Sequence, residues 1–274
     1  MKKIGLALGG GGAKGFAHIP ALEVFDELGI KPSCITGTSI GSIAGALYAS
    51  GLCAAEITEL IMVRQSTSFT DFFRNKEFGE MIKMIDPDLG WNSQGLLRGE
   101  RFLEFLYEGL AVKTFDELEI PFKCVATDFW RYAPVIFDSG DLSLAVRASM
   151  AIPYVFAPVQ LDGKILVDGG LSNNVPLNLL DDDCDIRIAI NIRGERSTPK
   201  DKVPNMFEAI FHTYEVMQES TTNAYLASHP VDIYLRPPIM DVQVMDFHRA
   251  EEIYKQGLTA KDDFKRQLER LLES

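Results

Sequence analysis

Gly37-Thr38-Ser39-Ile40-Gly41 is the most informative pattern in this sequence. It follows a short apolar run at residues 34–35 and precedes a small-residue run, 42–49, that favours a helix. The G-x-S-x-G spacing is typical of a nucleophile elbow, a sharp strand-to-helix turn that presents a serine from a strained backbone. Glycine stands two positions before and after the serine because a side chain there would crowd the turn. The stretch therefore predicts a strand, a tight turn and a helix, with Ser39 as a candidate nucleophile.

Two other glycine-rich stretches accompany the elbow. Gly9-Gly10-Gly11-Gly12-Ala13-Lys14-Gly15 follows the first apolar run, and Asp168-Gly169-Gly170 follows a later one. Consecutive glycines at the start of a helix expose backbone N–H groups that bind a phosphate or the oxyanion of an acyl-transfer intermediate. A plain tight turn is the structural alternative, and Lys14 is most simply an exposed residue on the helix that follows.

The glycine loop also fits a dinucleotide fingerprint, Gly10-x-Gly12-x-x-Gly15. Such a site expects an acidic residue about 20 positions later, at the end of the second strand. The second strand here ends in Ile35-Thr36-Gly37-Thr38, which carries no carboxylate. A phosphate-binding P-loop fails as well, because Lys14 is followed by glycine and not by serine or threonine. Nucleotide binding therefore ranks behind acyl transfer.

A serine nucleophile needs a base, and Asp168 is the stronger candidate for that role. It ends the apolar run 165–167, so we place it at a strand terminus, where cleft residues of open parallel sheets collect. A carboxylate with a pKa near ~3.9 is a weak base, so the mechanism requires its burial or close contact with Ser39. His18 precedes the elbow and is interpreted as a core or rim residue. A Ser–His–Asp triad remains the alternative, using one of His212, His229 and His248.

Length and composition describe one large globular domain. The 274 residues are 46% hydrophobic and 24% charged, with a formal net charge of −12. An acidic chain is a poor partner for nucleic acid and for an anionic membrane, although brief contact of an apolar patch with a membrane surface stays open.

The cysteines and the apolar runs predict a cytoplasmic protein. Cys34, Cys53, Cys124 and Cys184 are scattered, without C-x-x-C or metal-ligand spacing, so we expect free thiols in a reducing compartment and no metal. The N-terminal apolar run holds about five residues, shorter than the ~7–15 of a signal-peptide core. No run approaches the ~20 apolar residues of a membrane span.

The chain alternates strands and helices, and its unalternating apolar runs predict a parallel sheet covered on both faces. Strands are expected at 3–8, 33–36, 122–127, 135–137, 155–161, 164–167, 186–192 and 232–235, and helices at 14–28, 40–50, 206–227 and 248–272. Asp162-Gly163 is a hairpin signal. The aromatic-rich segment 69–97 interrupts this alternation and is either helical core or a mobile cap over an apolar cleft.

Several motifs in order resemble the patatin-like phospholipase family in its bacterial single-domain form. The resemblance extends to about Arg193 and departs from the family pattern at Pro20 and at 129–133. The segment 69–97 and the chain beyond 193 carry no family motif, so substrate choice stays open. The motifs are the glycine loop with His18 and Leu22, the elbow with residues 45–48, and the stretches 126–128, 145–149, 152–153, 167–170 and 174–176.

The resemblance implies a patatin-type three-layer α/β fold, with a central mostly parallel sheet flanked by helices. It implies one domain over 1–274, with 69–97 as a cap and about 203–274 as C-terminal packing helices. Family activity is hydrolysis of acyl esters in phospholipids, lysophospholipids or neutral lipids through an acyl-enzyme, without metal or cofactor. A non-catalytic lipid-sensing protein is the rival from another class.

By the same resemblance, a Ser–Asp dyad without histidine performs the reaction. Ser39 is the nucleophile and Asp168 the base. The glycine loop binds the substrate through Gly10, Gly11, Gly12, Lys14 and Gly15: the backbone N–H groups of the first three form an oxyanion hole, and Lys14 is a candidate anion contact.

Overall fold

The computed structural model describes residues 2–60, 112–197, 203–204 and 206–274. The segment 69–97, predicted as a cap, lies outside the described residues. In the ranges that are described, no helix is long and apolar enough to cross a membrane.

One eight-stranded sheet organises the described chain, in the order β5-β6-β3-β2-β1-β7-β8 with β4 paired to β3. The pairs β1–β2, β1–β7, β2–β3 and β7–β8 are parallel, and β3–β4, β3–β6 and β5–β6 are antiparallel. The predicted mostly parallel sheet is therefore confirmed, with an antiparallel extension at one side. The strands are β1 (Ile4–Leu8), β2 (Cys34–Thr38), β3 (Phe122–Asp128), β4 (Ala133–Phe137), β5 (Val159–Leu161), β6 (Lys164–Asp168), β7 (Ile186–Ile190) and β8 (Ile233–Leu235).

Helices flank this sheet, and two of the predicted helices are divided. The expected helix 14–28 is a 3-10 helix, Gly12–His18, followed by an α-helix whose first turn holds Pro20. Proline suits a first turn because its missing N–H has no partner there anyway. The expected helix 248–272 is two helices that meet at residues 259–260. The α-helices are α1 (Ile19–Leu28), α2 (Ile40–Ala49), α3 (Ala54–Thr58), α4 (Leu142–Ser149), α5 (Met206–Ser228), α6 (Ala250–Leu258) and α7 (Lys261–Glu273).

The core lies between the sheet and these helices. Every residue of β1 and β2 is buried, as expected for central strands covered on both faces. The helix α7 joins this core through Phe264, whose ring centroid lies 6.1 Å from that of Phe25 on α1. A buried aromatic of this kind contributes roughly 1.5–3 kcal/mol. The last helix is thereby anchored to the N-terminal part of the chain.

Strands β2 and β6 occupy the same edge of β3, end to end. On β3, Val125 is paired with Thr38 of β2, and the next residue, Ala126, is paired with Asp168 of β6. The opposite edge of both residues is taken by β4. Because β2 runs parallel to β3 and β6 antiparallel, the two strands point at each other and their last residues meet. The sheet register thus brings the elbow and Asp168 together.

The hairpin between β5 and β6 turns at Asp162-Gly163, as predicted. Both residues have positive φ, 48° and 72°. Positive φ at both central residues is typical of a type I′ turn, whose backbone twist matches that of the two flanking strands. Asp168-Gly169-Gly170 makes no such hairpin, because Gly169–Leu171 form a 3-10 helix that carries the chain away from the strand.

Candidate active site

Ser39 occupies the sharp turn between β2 and α2, with φ 53° and ψ −125°. A non-glycine residue in this region costs about 1–3 kcal/mol, and the surrounding packing must hold it there. A Cβ on Gly41 would lie 2.3 Å from the carbonyl oxygen of Leu8, and one on Gly37 would lie 2.6 Å from that of Gly41. The backbone N–H of Ser39 donates to Ser149 Oγ at 2.8 Å. Close backbone packing therefore explains both glycines of the elbow.

The Ser39 hydroxyl donates a 2.6 Å hydrogen bond to Asp168 Oδ2. Both residues are buried, at 3% and 1% exposure. The other carboxylate oxygen, Oδ1, accepts from Gly170 N–H at 2.7 Å and from the Tyr214 hydroxyl at 3.0 Å. Burial raises the pKa of Asp168 to about 6, although these three hydrogen bonds act to lower it. The carboxylate is thus a stronger base than an exposed aspartate and still ionises at neutral pH.

The glycine loop borders the same small cavity as Ser39. The Gly10 N–H donates to the carbonyl of Asn174 at 3.0 Å. In the part of the chain that the structure covers, the N–H groups of Gly11 and Gly12 have no acceptor. Their cavity, of about 20 Å³, has room for roughly one water molecule. Of the three predicted oxyanion donors, Gly11 and Gly12 are therefore available, and Gly10 serves the close backbone approach: a Cβ there would lie 3.1 Å from Ser39 Cβ.

Lys14 is buried, at 3% exposure, so the expectation of an exposed helix residue is wrong. Its ammonium group donates to Glu215 Oε1 on α5 at 2.7 Å, and both residues line the cavity beside Ser39. Burial works to raise the pKa of Glu215, but the Lys14 charge holds that pKa below its ordinary value. Gly15 does not line this cavity; a Cβ there would lie 2.1 Å from Cγ1 of Ile40, so its glycine serves packing.

The histidines stand apart from the serine. His18 is fully buried with Nε2 2.8 Å from the Gly9 carbonyl oxygen, and burial lowers the pKa of His18 to about 4. His212 lies 3.4 Å from Glu215, and His229 contacts Ser228. Across the described ranges, no histidine hydrogen-bonds to Ser39 or Asp168.

Three residues that complete the site were not predicted from the sequence. Tyr214 and Glu215 come from α5, where their helical spacing resembles that of any packing helix. Ser149 lies in the motif 145–149, but nothing in the sequence indicates that its hydroxyl accepts a hydrogen bond from the backbone N–H of Ser39. Only the fold brings these side chains close to Ser39 and Asp168.

The chain is similar to known proteins in sequence and in fold. A family model described as patatin-like phospholipase matches residues 6–181. An uncharacterised NTE family protein of Mycobacterium tuberculosis is 31% identical over 206 residues, 74% of this chain and 53% of that protein. The human patatin-like phospholipase domain-containing protein 6 is 29% identical over 283 residues, 93% of this chain and 20% of that protein.

A yeast relative and one solved structure complete the comparison. The lysophospholipase NTE1 of Kluyveromyces lactis is 27% identical over 293 residues, 97% of this chain and 19% of that protein. The chain thus spans about half the length of the mycobacterial relative and about a fifth of the two others. The crystal structure of VipD from Legionella pneumophila has a TM-score of 0.50 at 15% identity, covering 96% of this chain and 67% of that one, and it shares the fold.

Proposed function

This chain belongs to the patatin-like phospholipase family, and from that premise we propose that it hydrolyses carboxylic esters of lipids through a Ser39–Asp168 dyad. The observation that carries the proposal is the 2.6 Å hydrogen bond from Ser39 Oγ to Asp168 Oδ2. The name of the yeast relative, a lysophospholipase, supports the substrate class.

The proposed reaction proceeds in two steps. Asp168 Oδ2 accepts the hydroxyl proton of Ser39 as Oγ attacks the acyl carbonyl carbon, and the free N–H groups of Gly11 and Gly12 donate to the oxyanion. The carbonyl re-forms, and the alcohol leaves with the proton from Asp168. A water molecule then gives a proton to Asp168 as its oxygen attacks the acyl carbonyl carbon. The bond from that carbon to Ser39 Oγ breaks, Asp168 returns the proton to Oγ, and the carboxylic acid leaves.

Burial of the carboxylate supports its role as the base. A general base works best with a pKa near the working pH, and the pKa of Asp168 is raised to about 6. The hydroxyl lies at hydrogen-bond distance from this base without any movement. No third side chain has to relay the proton.

Substrate and organisation are part of the same proposal. We assign phospholipid, lysophospholipid or another lipid ester as substrate, with brief contact at a membrane surface. Residues 1–274 act as one domain, since α5 packs on the segment 169–171 and α6 on the 3-10 helix 12–18. The four cysteines are free thiols, which is consistent with a cytoplasmic location.

Labelling with a fluorophosphonate probe tests the proposal directly. The probe is expected to modify wild-type protein at Ser39, and a lysophospholipid is expected to be hydrolysed. Ser39→Ala should lose both, whereas the control Ser50→Ala, whose hydroxyl donates to the Leu47 carbonyl at the far end of α2, should keep both. Turnover by a folded Ser39→Ala protein would refute the proposal. A folded wild type that binds lipid vesicles but neither labels nor turns over would favour the lipid-sensing rival.

A further inference from the structure

A helix beyond the family match reaches the base of the dyad. The Tyr214 hydroxyl, on α5, donates to Asp168 Oδ1 at 3.0 Å. The family model ends at residue 181, 33 positions before this tyrosine. The contact is therefore made by a part of the chain that carries none of the family motifs.

Two donors fix the orientation of the carboxylate. Gly170 N–H and the Tyr214 hydroxyl both donate to Oδ1, and Ser39 donates to Oδ2. A carboxylate held by one oxygen from two directions cannot rotate freely about its Cβ–Cγ bond. The second oxygen is thereby directed at the serine hydroxyl.

The packing of α5 leaves little freedom to the tyrosine. A Cβ on Gly170 would lie 2.7 Å from the Tyr214 hydroxyl and 2.3 Å from Gln218 Nε2, so the helix sits directly on this glycine. Burial raises the pKa of Tyr214 well above its ordinary value, and the neighbouring Asp168 charge acts in the same direction. The phenol therefore keeps its proton and remains a donor over the whole working range of pH.

We propose that Tyr214 is a positioning residue for Asp168, which orients the carboxylate toward Ser39 and stabilises its ionised form. This inference rests on the proposed Ser–Asp dyad and adds a hydroxyl from α5 to it. Tyr214 itself does not touch the reacting atoms. Its hydrogen bond acts through Asp168 and extends the ionised form of the base to lower pH, against the effect of burial.

Other charged groups on the elements around Asp168 have partners of their own. In the cavity, Lys14 is paired with Glu215 and Arg193 with Glu219. On β3, Lys123 is paired with Asp181, and Asp128 is paired with Arg131. On α4, Arg147 donates to the Ala157 carbonyl. The helix α5 also carries Glu208 and His212. Only the two hydroxyls and the Gly170 N–H hydrogen-bond to the Asp168 carboxylate among the described residues.

The test is the pH dependence of kcat/KM for Tyr214→Phe, which keeps the ring and removes the donor. Losing a hydrogen bond to a charged acceptor raises the pKa of Asp168, so the acid limb should move up by about 1–2 pH units. At pH 6, kcat/KM of Tyr214→Phe should be about 5- to 50-fold below that of the wild type. This difference between the two proteins should become smaller toward pH 8, and KM should change little. The matched control is Tyr48→Phe, which removes a 2.7 Å hydrogen bond to Asp26 near the C-terminal end of α2 and should leave the limb in place.

Several outcomes separate this inference from the proposed function. An unmoved acid limb in an active Tyr214→Phe protein overturns the role of the tyrosine and leaves the dyad intact. A loss that is equal at every pH, together with a lower urea midpoint, assigns Tyr214 a structural role only and also overturns it. Wild-type protein that neither labels at Ser39 nor hydrolyses esters defeats the proposed function, whatever the variant does.

Discussion

Ser39 and Asp168 meet because two strands that run in opposite directions end against each other on one edge of β3. Their partners on β3, Val125 beside Thr38 and Ala126 beside Asp168, are consecutive residues. The separation of the two side chains is thus set by the hydrogen-bond register of a buried strand. A register slip of one residue would turn every side chain to the opposite face of the sheet, so this spacing is strongly specified.

The pH profile of ester hydrolysis by the wild-type protein should show an acid limb near pH 6. Asp168 must be ionised to accept the serine proton, and burial raises its pKa to about 6. Activity should therefore rise with pH through this range. A profile of kcat/KM between pH 4.5 and 8 measures it, and Asp168→Asn should be inactive throughout. A limb at pH 4, the value of an exposed aspartate, would contradict the assignment.

Asp168→Asn should also change how stability depends on pH. The folded-state pKa lies above the unfolded value of about 3.9, so this group's contribution is fully present below pH 4 and is lost as pH rises through 6. Between pH 4 and 7, the free energy of unfolding of the wild type should fall by about 2–3 kcal/mol because of Asp168. Asp168→Asn has no carboxyl group at this position and should not show this decrease. Urea unfolding at pH 4.5 and 7 compares them, with Asp162→Asn in the exposed turn as control. Parallel curves for wild type and Asp168→Asn would count against a buried ionised carboxylate.

The buried ion pair between Lys14 and Glu215 should be costly to break on one side. Glu215→Gln leaves the Lys14 ammonium buried without its carboxylate, so we expect a loss of about 3–5 kcal/mol in the free energy of unfolding. The exposed pair Lys255–Glu251 offers a matched comparison, since solvent screens its charges and Glu251→Gln should cost much less stability.

A double-mutant cycle with Lys14→Met completes that comparison. The double variant should be less destabilised than the sum of the two single variants, because it leaves no unpaired charge behind. Denaturant unfolding at pH 7 measures all four proteins. If Glu215→Gln and Glu251→Gln lowered the free energy of unfolding equally, the buried Lys14–Glu215 pair would be no more important for stability than an exposed one.

We expect little effect when His212, His229 and His248 are all replaced by glutamine. The rate of ester hydrolysis should stay within about threefold of the wild type, because the proposed base is the ionised carboxylate of Asp168. None of the three hydrogen-bonds to Ser39 or Asp168 where the chain is described. Steady-state kinetics at pH 7 provides the measurement. If a folded triple variant no longer hydrolysed the ester, a Ser–His–Asp triad would explain the activity better than the proposed dyad.

The elements that local sequence determines were predicted well. The elbow, the Asp162-Gly163 hairpin and the central strands follow from spacing and apolar runs, which act over fewer than ten residues. The strands β1 and β2 were placed to within two residues at each end. The position of Asp168 after an apolar run likewise indicated a strand terminus.

The features that were missed depend on contacts distant in the sequence. The burial of Lys14 arises from Glu215, which is 201 residues away. The strand β3 continues past the end of β2 and pairs with β6, and no local pattern indicates this double use of one edge. The break of the first helix has a visible signal in Pro20, the departure from the family pattern that bears on where this helix starts.

The helix α5 supplies the cover over Asp168 as well as packing against the sheet. A fragment ending near residue 193 would keep every recognisable motif together with Ser39 and Asp168, yet its carboxylate would lose Tyr214 and the burial that weakens its ionisation. Water would then solvate Asp168, and its proton affinity would fall toward that of a free aspartate. In the proposed dyad, two parts of the chain therefore make different contributions: the motifs bring Ser39 and Asp168 together, and the helix α5, which carries no motif, covers the carboxylate and so influences its basicity.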